Sequence, residues 1–119
     1  MKFMFPNRNN VYLHSTPSQL LFSKSRRDFS HGCIRVEKPA ALATWLLRDD
    51  PQWTSERITA AMNGTTNNLE VILKNPIPIL IVYTTVVALE DGQILFFDDI
   101  YGHDKTLENA LAAGYPYPA

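Results

Sequence analysis

Cysteine is nearly absent from this 119-residue chain: Cys33 is the only one, so no internal disulfide is available. The redox compartment therefore stays open, and any chemistry of Cys33 is that of a free thiol. Charge of one sign is lacking as well. Eleven lysines and arginines face twelve aspartates and glutamates, a formal net charge of -1. That balance argues against a nucleic-acid binder, which carries a clear basic excess. No apolar run approaches the roughly 20 residues that span a bilayer. The nearest, Ile77 to Leu89, is interrupted by Pro78, Tyr83, Thr84 and Thr85. The opening Met1-Lys2-Phe3-Met4-Phe5-Pro6 is too short for a signal-peptide apolar region and has no small-residue cleavage site. Met1 to Asn10 offers neither a domain-opening strand nor a capped helix, so the expectation is a piece of a longer precursor. Paired metal-ligand spacings are missing too. His14, His31, Cys33 and His103 total four ligands for zinc, yet no C-x2-C or H-x3-H supports such a site. No metal and no cofactor is expected, and there is no internal repeat or low-complexity segment.

What is present is the composition of one globular domain, 45% hydrophobic and 19% charged. Pro6 to Asn10 is a turn cluster, and Val11-Tyr12-Leu13 reads as a short strand that delivers His14 to its end. Pro17 turns the chain directly afterwards. Gln19 to Phe22 fits one helical turn. Ser23 to Asp28 is polar and basic, either a solvated loop or one that lends positive charge to a thiolate or a carboxylate ligand.

Ala40 to Arg48 predicts an amphipathic helix, with Pro39 at its first position and Leu42, Trp45 and Leu46 on one face. Thr54 or Ser55 caps a second, through about Met62, with Ile58, Ala61 and Met62 inward and Asn63-Gly64 as its stop. Trp45 and Trp53 are expected to close a small core. Asn68 to Leu73 is a strand candidate. Ile79 to Leu89, apolar on both faces and rich in β-branched residues, predicts a buried central strand. Asp91-Gly92 signals a hairpin returning through Gln93 to Phe97. A last helix runs from about Asp104 to Ala113, and the tail Tyr115-Pro116-Tyr117-Pro118 is not regular.

The chemistry centres on Asp28-Phe29-Ser30-His31-Gly32-Cys33-Ile34-Arg35-Val36. A lone cysteine is commonly a small buried hydrophobe. It becomes a nucleophile when a base or a positive charge populates its thiolate. His31 lies two residues away, on the same face if the segment is extended. His14, at a strand end, is placed to meet Cys33 from a neighbouring strand. Gly32 lets the backbone approach a substrate closely. The amides of Gly32 and Cys33 are candidate donors to a tetrahedral oxyanion. Nucleophile, base and oxyanion donors are the parts of an acyl-transfer site.

Ser30-His31-Gly32-Cys33-Ile34-Arg35-Val36, with a 15-residue spacer between His14 and Ser30, resembles the signature of the L,D-transpeptidase catalytic domain. Val11 to Pro17, Ser25 to Phe29, Pro76-Ile77-Pro78, Asp91-Gly92 and Asp98-Asp99-Ile100-Tyr101 are similar to the long proteobacterial branch of that family. The resemblance implies a cysteine enzyme acting on peptidoglycan stem peptides. Cys33 is the implied nucleophile on the amide between the third stem residue and the terminal D-alanine, and His14 the implied base. Ser15 helps orient the histidine ring through its backbone, Gly32 and Cys33 hold the oxyanion, and His31, Ser30 and Arg35 support the site. A side-chain amine of another stem resolves the thioester to a 3→3 cross-link; water in its place makes an L,D-carboxypeptidase or endopeptidase. A catalytically idle wall-binding remnant is the reading outside the enzyme class. The resemblance further implies the periplasm or cell envelope, an export signal upstream, and residues 1–119 as the C-terminal part of the domain. The expected fold is mainly β with peripheral short helices (α+β), an N-terminally truncated L,D-transpeptidase-like β-sandwich.

Overall fold

The computed structural model describes residues 1–65 and 68–114. The chain divides into two compact units, Met1–Pro76 and Ile77–Ala119.

In the first unit, β1 (Lys2–Phe3), β2 (Leu13–His14) and β3 (Ile34–Arg35) form a three-stranded sheet in that order. β1 runs antiparallel to β2, pairing Lys2 with His14 and Phe3 with Leu13. β3 runs parallel to β2, pairing Leu13 with Ile34 and His14 with Arg35. The expectation that Met1 to Asn10 opens no strand is corrected by β1. Its two residues carry little strand signal alone and become a strand through their hydrogen-bonded neighbour, β2. The turn between them is organised by Asn7, whose Oδ1 accepts from the Asn9 and Val11 amides and whose Nδ2 donates to the Phe5 and Val11 carbonyls. A short 3₁₀ turn follows at Gln19–Ser23.

Two helices complete this unit. α1 (Pro39–Leu46) starts at the proline, whose missing N–H is no loss in a first turn. α2 (Ser55–Asn63) is capped by Thr54, whose Oγ1 accepts the Arg57 amide at 3.3 Å. They pack on each other through Ala43 and Ile58, 2% and 1% exposed, with Ala61 and Met62 half-buried beside the same face. Trp45 corrects an expectation: it lies 51% exposed, with the Arg48 guanidinium 4.7 Å from its ring, and closes no core. Trp53 is half-buried under Arg57 at 4.6 Å.

In the second unit, β4 (Val86–Ala88) and β5 (Ile94–Phe96) make the expected hairpin, in register Val86 to Phe96 and Ala88 to Ile94. Gly92 sits at φ 85° in its turn, a region L side chains rarely adopt. α3 (His103–Ala112) follows. The loop before it is held by Asp99, whose Oδ1 accepts the Tyr83 hydroxyl at 2.7 Å and whose Oδ2 accepts the Asp104 amide at 2.7 Å.

The fold is α+β, with helix exceeding strand among the described residues. Two strand expectations are corrected. Asn68 to Leu73 has no strand pairing, and Ile79 to Leu89 is paired only over Val86–Ala88 and is not buried. β-branched composition favours extended backbone, but a strand also needs a neighbour to receive its hydrogen bonds. The Tyr115 to Pro118 expectation lies outside the described residues.

The Tyr83–Asp99 pair carries a pH expectation. The Tyr83 hydroxyl first, then the Asp104, His103 and Gly102 amides, hold the Asp99 carboxyl below its usual value. A depressed native pKa stabilises above the unfolded value, and the contribution is lost as pH falls through the native one. Acid titration below the ordinary aspartate range of about 3.9 should therefore loosen this loop and the α3 start. Far-ultraviolet dichroism of wild type against Tyr83→Phe checks it: the variant should lose helix signal at a higher pH than wild type. Superimposable titrations contradict the assignment.

Candidate active site

The parallel pairing of β2 with β3 builds the centre of the site. Ile34 donates its amide to the Tyr12 carbonyl at 3.0 Å, and Val36 donates to the His14 carbonyl at 2.8 Å. His14 and Arg35 are register partners and share a sheet face. Cys33, two residues before Arg35, falls on that same face where the backbone stays extended. Neighbouring strands stand about 4.8 Å apart and each residue advances about 3.3 Å, so His14 and Cys33 are diagonal neighbours on one surface. Register thus sets the two residues on one face, one row apart, with no hydrogen bond between their side chains among the described residues.

His14 is half-buried, with the Tyr12 ring edge-on at 5.8 Å. Its Nδ1 lies 2.8 Å from the Ser15 carbonyl oxygen. A carbonyl only accepts, so this contact requires the proton on Nδ1 and leaves the Nε2 lone pair open. That is the tautomer a general base needs. Ser15 is itself held by the β1 end of the sheet, its amide donating to the Met1 carbonyl at 3.0 Å.

The loop carrying Cys33 is tied at two points. Ser30 Oγ donates to the Cys33 carbonyl at 2.6 Å, and Arg35 Nη1 donates to the Phe29 carbonyl at 3.1 Å. These bonds close the loop across its own base and fix where the half-buried Cys33 sits. Ser30 Oγ also accepts the Gly32 amide at 3.3 Å. In this geometry the Gly32 amide points into the loop, while the Cys33 amide has no partner among the described residues. Of the two expected oxyanion donors, only Cys33 is free to serve here. His31 is exposed, on the loop, with no hydrogen-bond partner among the described residues.

Gly32 matters for its backbone. Its φ is 145°, and an added Cβ would meet only the Val11 Cγ2 at an ordinary 3.5 Å. Space is available, but the conformation is not one that an L side chain adopts without strain. Gly32→Ala should therefore cost about 1–3 kcal/mol or shift the loop. Thermal unfolding together with thiol labelling of Cys33 checks this; unchanged stability and labelling would mean the glycine is dispensable.

The basic loop before the site is engaged internally. Arg26 makes a two-point pair with Asp28, at 2.7 and 2.8 Å, which holds the Asp28 carboxyl below its usual range. Arg27 donates to the Lys24 and Phe22 carbonyls. The loop's arginines hold the loop itself, a role the sequence reading did not identify. Among the described residues, no group of three or more histidine, cysteine, aspartate or glutamate side chains is placed to hold a metal ion, and no helix is long and apolar enough to cross a membrane.

Comparison with known proteins relates the chain to one family. The profile of the L,D-transpeptidase catalytic domain (YkuD) matches residues 1–79, the stretch that contains the whole cysteine–histidine surface. A Haemophilus influenzae protein, named by inference as an L,D-transpeptidase, is 33% identical over 109 residues. The alignment covers 92% of this chain and 22% of the relative, so the chain spans less than a quarter of that protein's length.

Proposed function

Starting from a chain that belongs to the L,D-transpeptidase catalytic-domain family, we propose that it is a cysteine acyltransferase acting on peptidoglycan stem peptides. The observation that carries this reading is the Nδ1 contact of His14 with the Ser15 carbonyl, on the face of β2 that Cys33 shares. It supplies a base in the correct tautomer beside the only thiol in the chain.

The proposed reaction has two steps. His14 Nε2 takes the proton of Cys33, and the thiolate attacks the carbonyl of the third stem residue. The oxyanion of the tetrahedral intermediate is stabilised by the Cys33 amide. The carbon–nitrogen bond then breaks, and D-alanine leaves with the proton that His14 returns, giving a thioester on Cys33. A side-chain amine of a second stem attacks the thioester, loses its proton to His14 and releases Cys33 with a 3→3 link formed. Ser15 fixes the ring of His14, and Ser30 and Arg35 position the nucleophile through their bonds to the Cys33 and Phe29 carbonyls. Gly32 permits the turn, and His31 flanks the nucleophile. The cell envelope is the proposed location, because that is where the substrate lies. No nucleic acid is assigned as a partner.

The test is incubation with a stem tetrapeptide ending in D-alanine, with and without a second tetrapeptide as acceptor. D-alanine release with dimer formation supports transfer. Release without dimer assigns the hydrolytic reading, in which water resolves the same thioester. No release from the folded protein overturns both.

A further inference from the structure

Three arginines flank Cys33 in the first unit, and they use their guanidinium groups differently. A guanidinium grips a carboxylate at two points through a planar fork, and the edge formed by Nε and Nη2 is one such fork. Arg26 shows that grip within the chain. Its Nε donates to Asp28 Oδ1 at 2.7 Å and its Nη2 to Asp28 Oδ2 at 2.8 Å. In Arg27 the same edge is taken up by the Lys24 and Phe22 carbonyls. Arg35 is tied by its other terminal nitrogen, Nη1, to the Phe29 carbonyl at 3.1 Å. Its Nε and Nη2 have no partner among the described residues, so the edge that Arg26 closes on a carboxylate stays open on a side chain already held in place.

Burial and charge single out the same residue. Of the eleven lysines and arginines, Arg35 is the one that is not exposed. No carboxylate lies within ion-pair distance of it among the described residues. The half-buried acids Asp50, Asp99 and Asp104, by contrast, each have a side-chain partner. A charge drawn partly out of water favours an acceptor that replaces the water, and one carbonyl serves only one of five donors. Through Lys38 the chain has seven lysines and arginines against two acids, Asp28 and Glu37, so the field over this segment draws anions. Arg35 pairs in register with His14 and follows Cys33 by two residues, about 6.6 Å along extended backbone.

We infer that the open Nε–Nη2 edge of Arg35 binds the free α-carboxylate of the departing D-alanine, and so selects stems in which a single residue follows the scissile amide. The inference rests on the reading of Cys33 as the nucleophile toward a stem peptide, and adds how the donor is chosen. A stem cut before its last residue carries a carboxylate one residue beyond the reacting carbonyl. A longer stem places a peptide amide there, which offers the fork one oxygen and no charge. Gripping the carboxylate two residues from Cys33 sets the neighbouring carbonyl beside the thiol. Arg35 moves no proton in this role; it determines specificity.

Calorimetric titration of the Cys33→Ala protein, which cannot turn the substrate over, tests it. The probes are a stem tetrapeptide ending in D-alanine with a free carboxylate and the same peptide as its C-terminal amide. With Arg35 in place the acid should bind roughly 10–100-fold tighter than the amide, the range of a charge-assisted hydrogen-bonded pair. Adding Arg35→Gln, which keeps an N–H donor and loses the charged fork, should weaken the acid alone and bring the ratio to about one. Arg35→Lys, which keeps the charge and loses the fork, should fall between. If Arg35 only closes the loop, Arg35→Gln weakens acid and amide alike and the preference survives, which overturns the proposal. Equal binding of the two probes with Arg35 in place, or binding of neither, overturns it as well. These readouts need no D-alanine release. Acid-selective binding without release by the wild type therefore fails the reaction alone, and release without acid preference fails this proposal alone.

Discussion

Cys33→Ala is expected to abolish D-alanine release from a stem tetrapeptide, to the level of the uncatalysed reaction. The protein contains no second thiol, so no neighbouring group can take over thioester formation. Cys33 is half-buried and makes no side-chain hydrogen bond among the described residues, so its removal should leave the fold unchanged. Wild-type dichroism with no turnover is therefore the expected signature. Residual turnover above background would place the nucleophile elsewhere and remove the basis for a cysteine mechanism.

His14→Ala is expected to slow acylation by about 10²–10⁴-fold, the usual range for loss of a positioned general base. His31→Ala should change the rate far less. The distinction rests on what each ring touches. His14 is half-buried, and its Nδ1 is committed to the Ser15 carbonyl at 2.8 Å, which leaves Nε2 to accept a proton. His31 is exposed, and no hydrogen bond among the described residues fixes its tautomer or ring orientation. Single-turnover acylation rates of the two variants check this distinction. If His31→Ala carries the large defect and His14→Ala acylates normally, the base has been misassigned.

Much of the site was legible in the sequence because it is local. A β-prone triplet ending in His14, with Pro17 behind it, predicts a strand end, and β2 at Leu13–His14 is that end. The three helices begin within one residue of their expected starts at Ala40, Ser55 and Asp104, and for the first two the signals, Pro39 and the Thr54 cap, act over a single turn. The parts that stayed hidden depend on pairing across the chain. β1 exists because Lys2 and Phe3 lie beside His14 and Leu13, and nothing in two residues announces that. The ties from Ser30 to the Cys33 carbonyl and from Arg35 to the Phe29 carbonyl go to backbone atoms, which every residue has and no motif specifies. Tyr83 and Asp99 meet across 16 residues, and only the fold brings them together.

The β content shows the same division from the other side. Ile79 to Leu89 has the composition of a buried strand, and the hairpin forms where Asp91-Gly92 turns the chain back on itself. The preceding residues stay unpaired because hydrogen-bonding partners, unlike propensity, are not a property of the segment. The described strands form one three-stranded sheet in the first unit and one two-stranded sheet in the second. The cysteine–histidine surface is less affected, since β2 and β3 supply both His14 and the approach to Cys33 within the first unit.

The most direct test of the central claim is the intact mass of the wild-type protein after incubation with a carbapenem, whose strained β-lactam amide acylates a reactive thiolate and stays attached. The account predicts one adduct per chain, mapped by digestion to the peptide containing Cys33 and absent from Cys33→Ala. A folded wild-type protein that gains no mass, or one whose adduct survives the Cys33→Ala substitution, contradicts it.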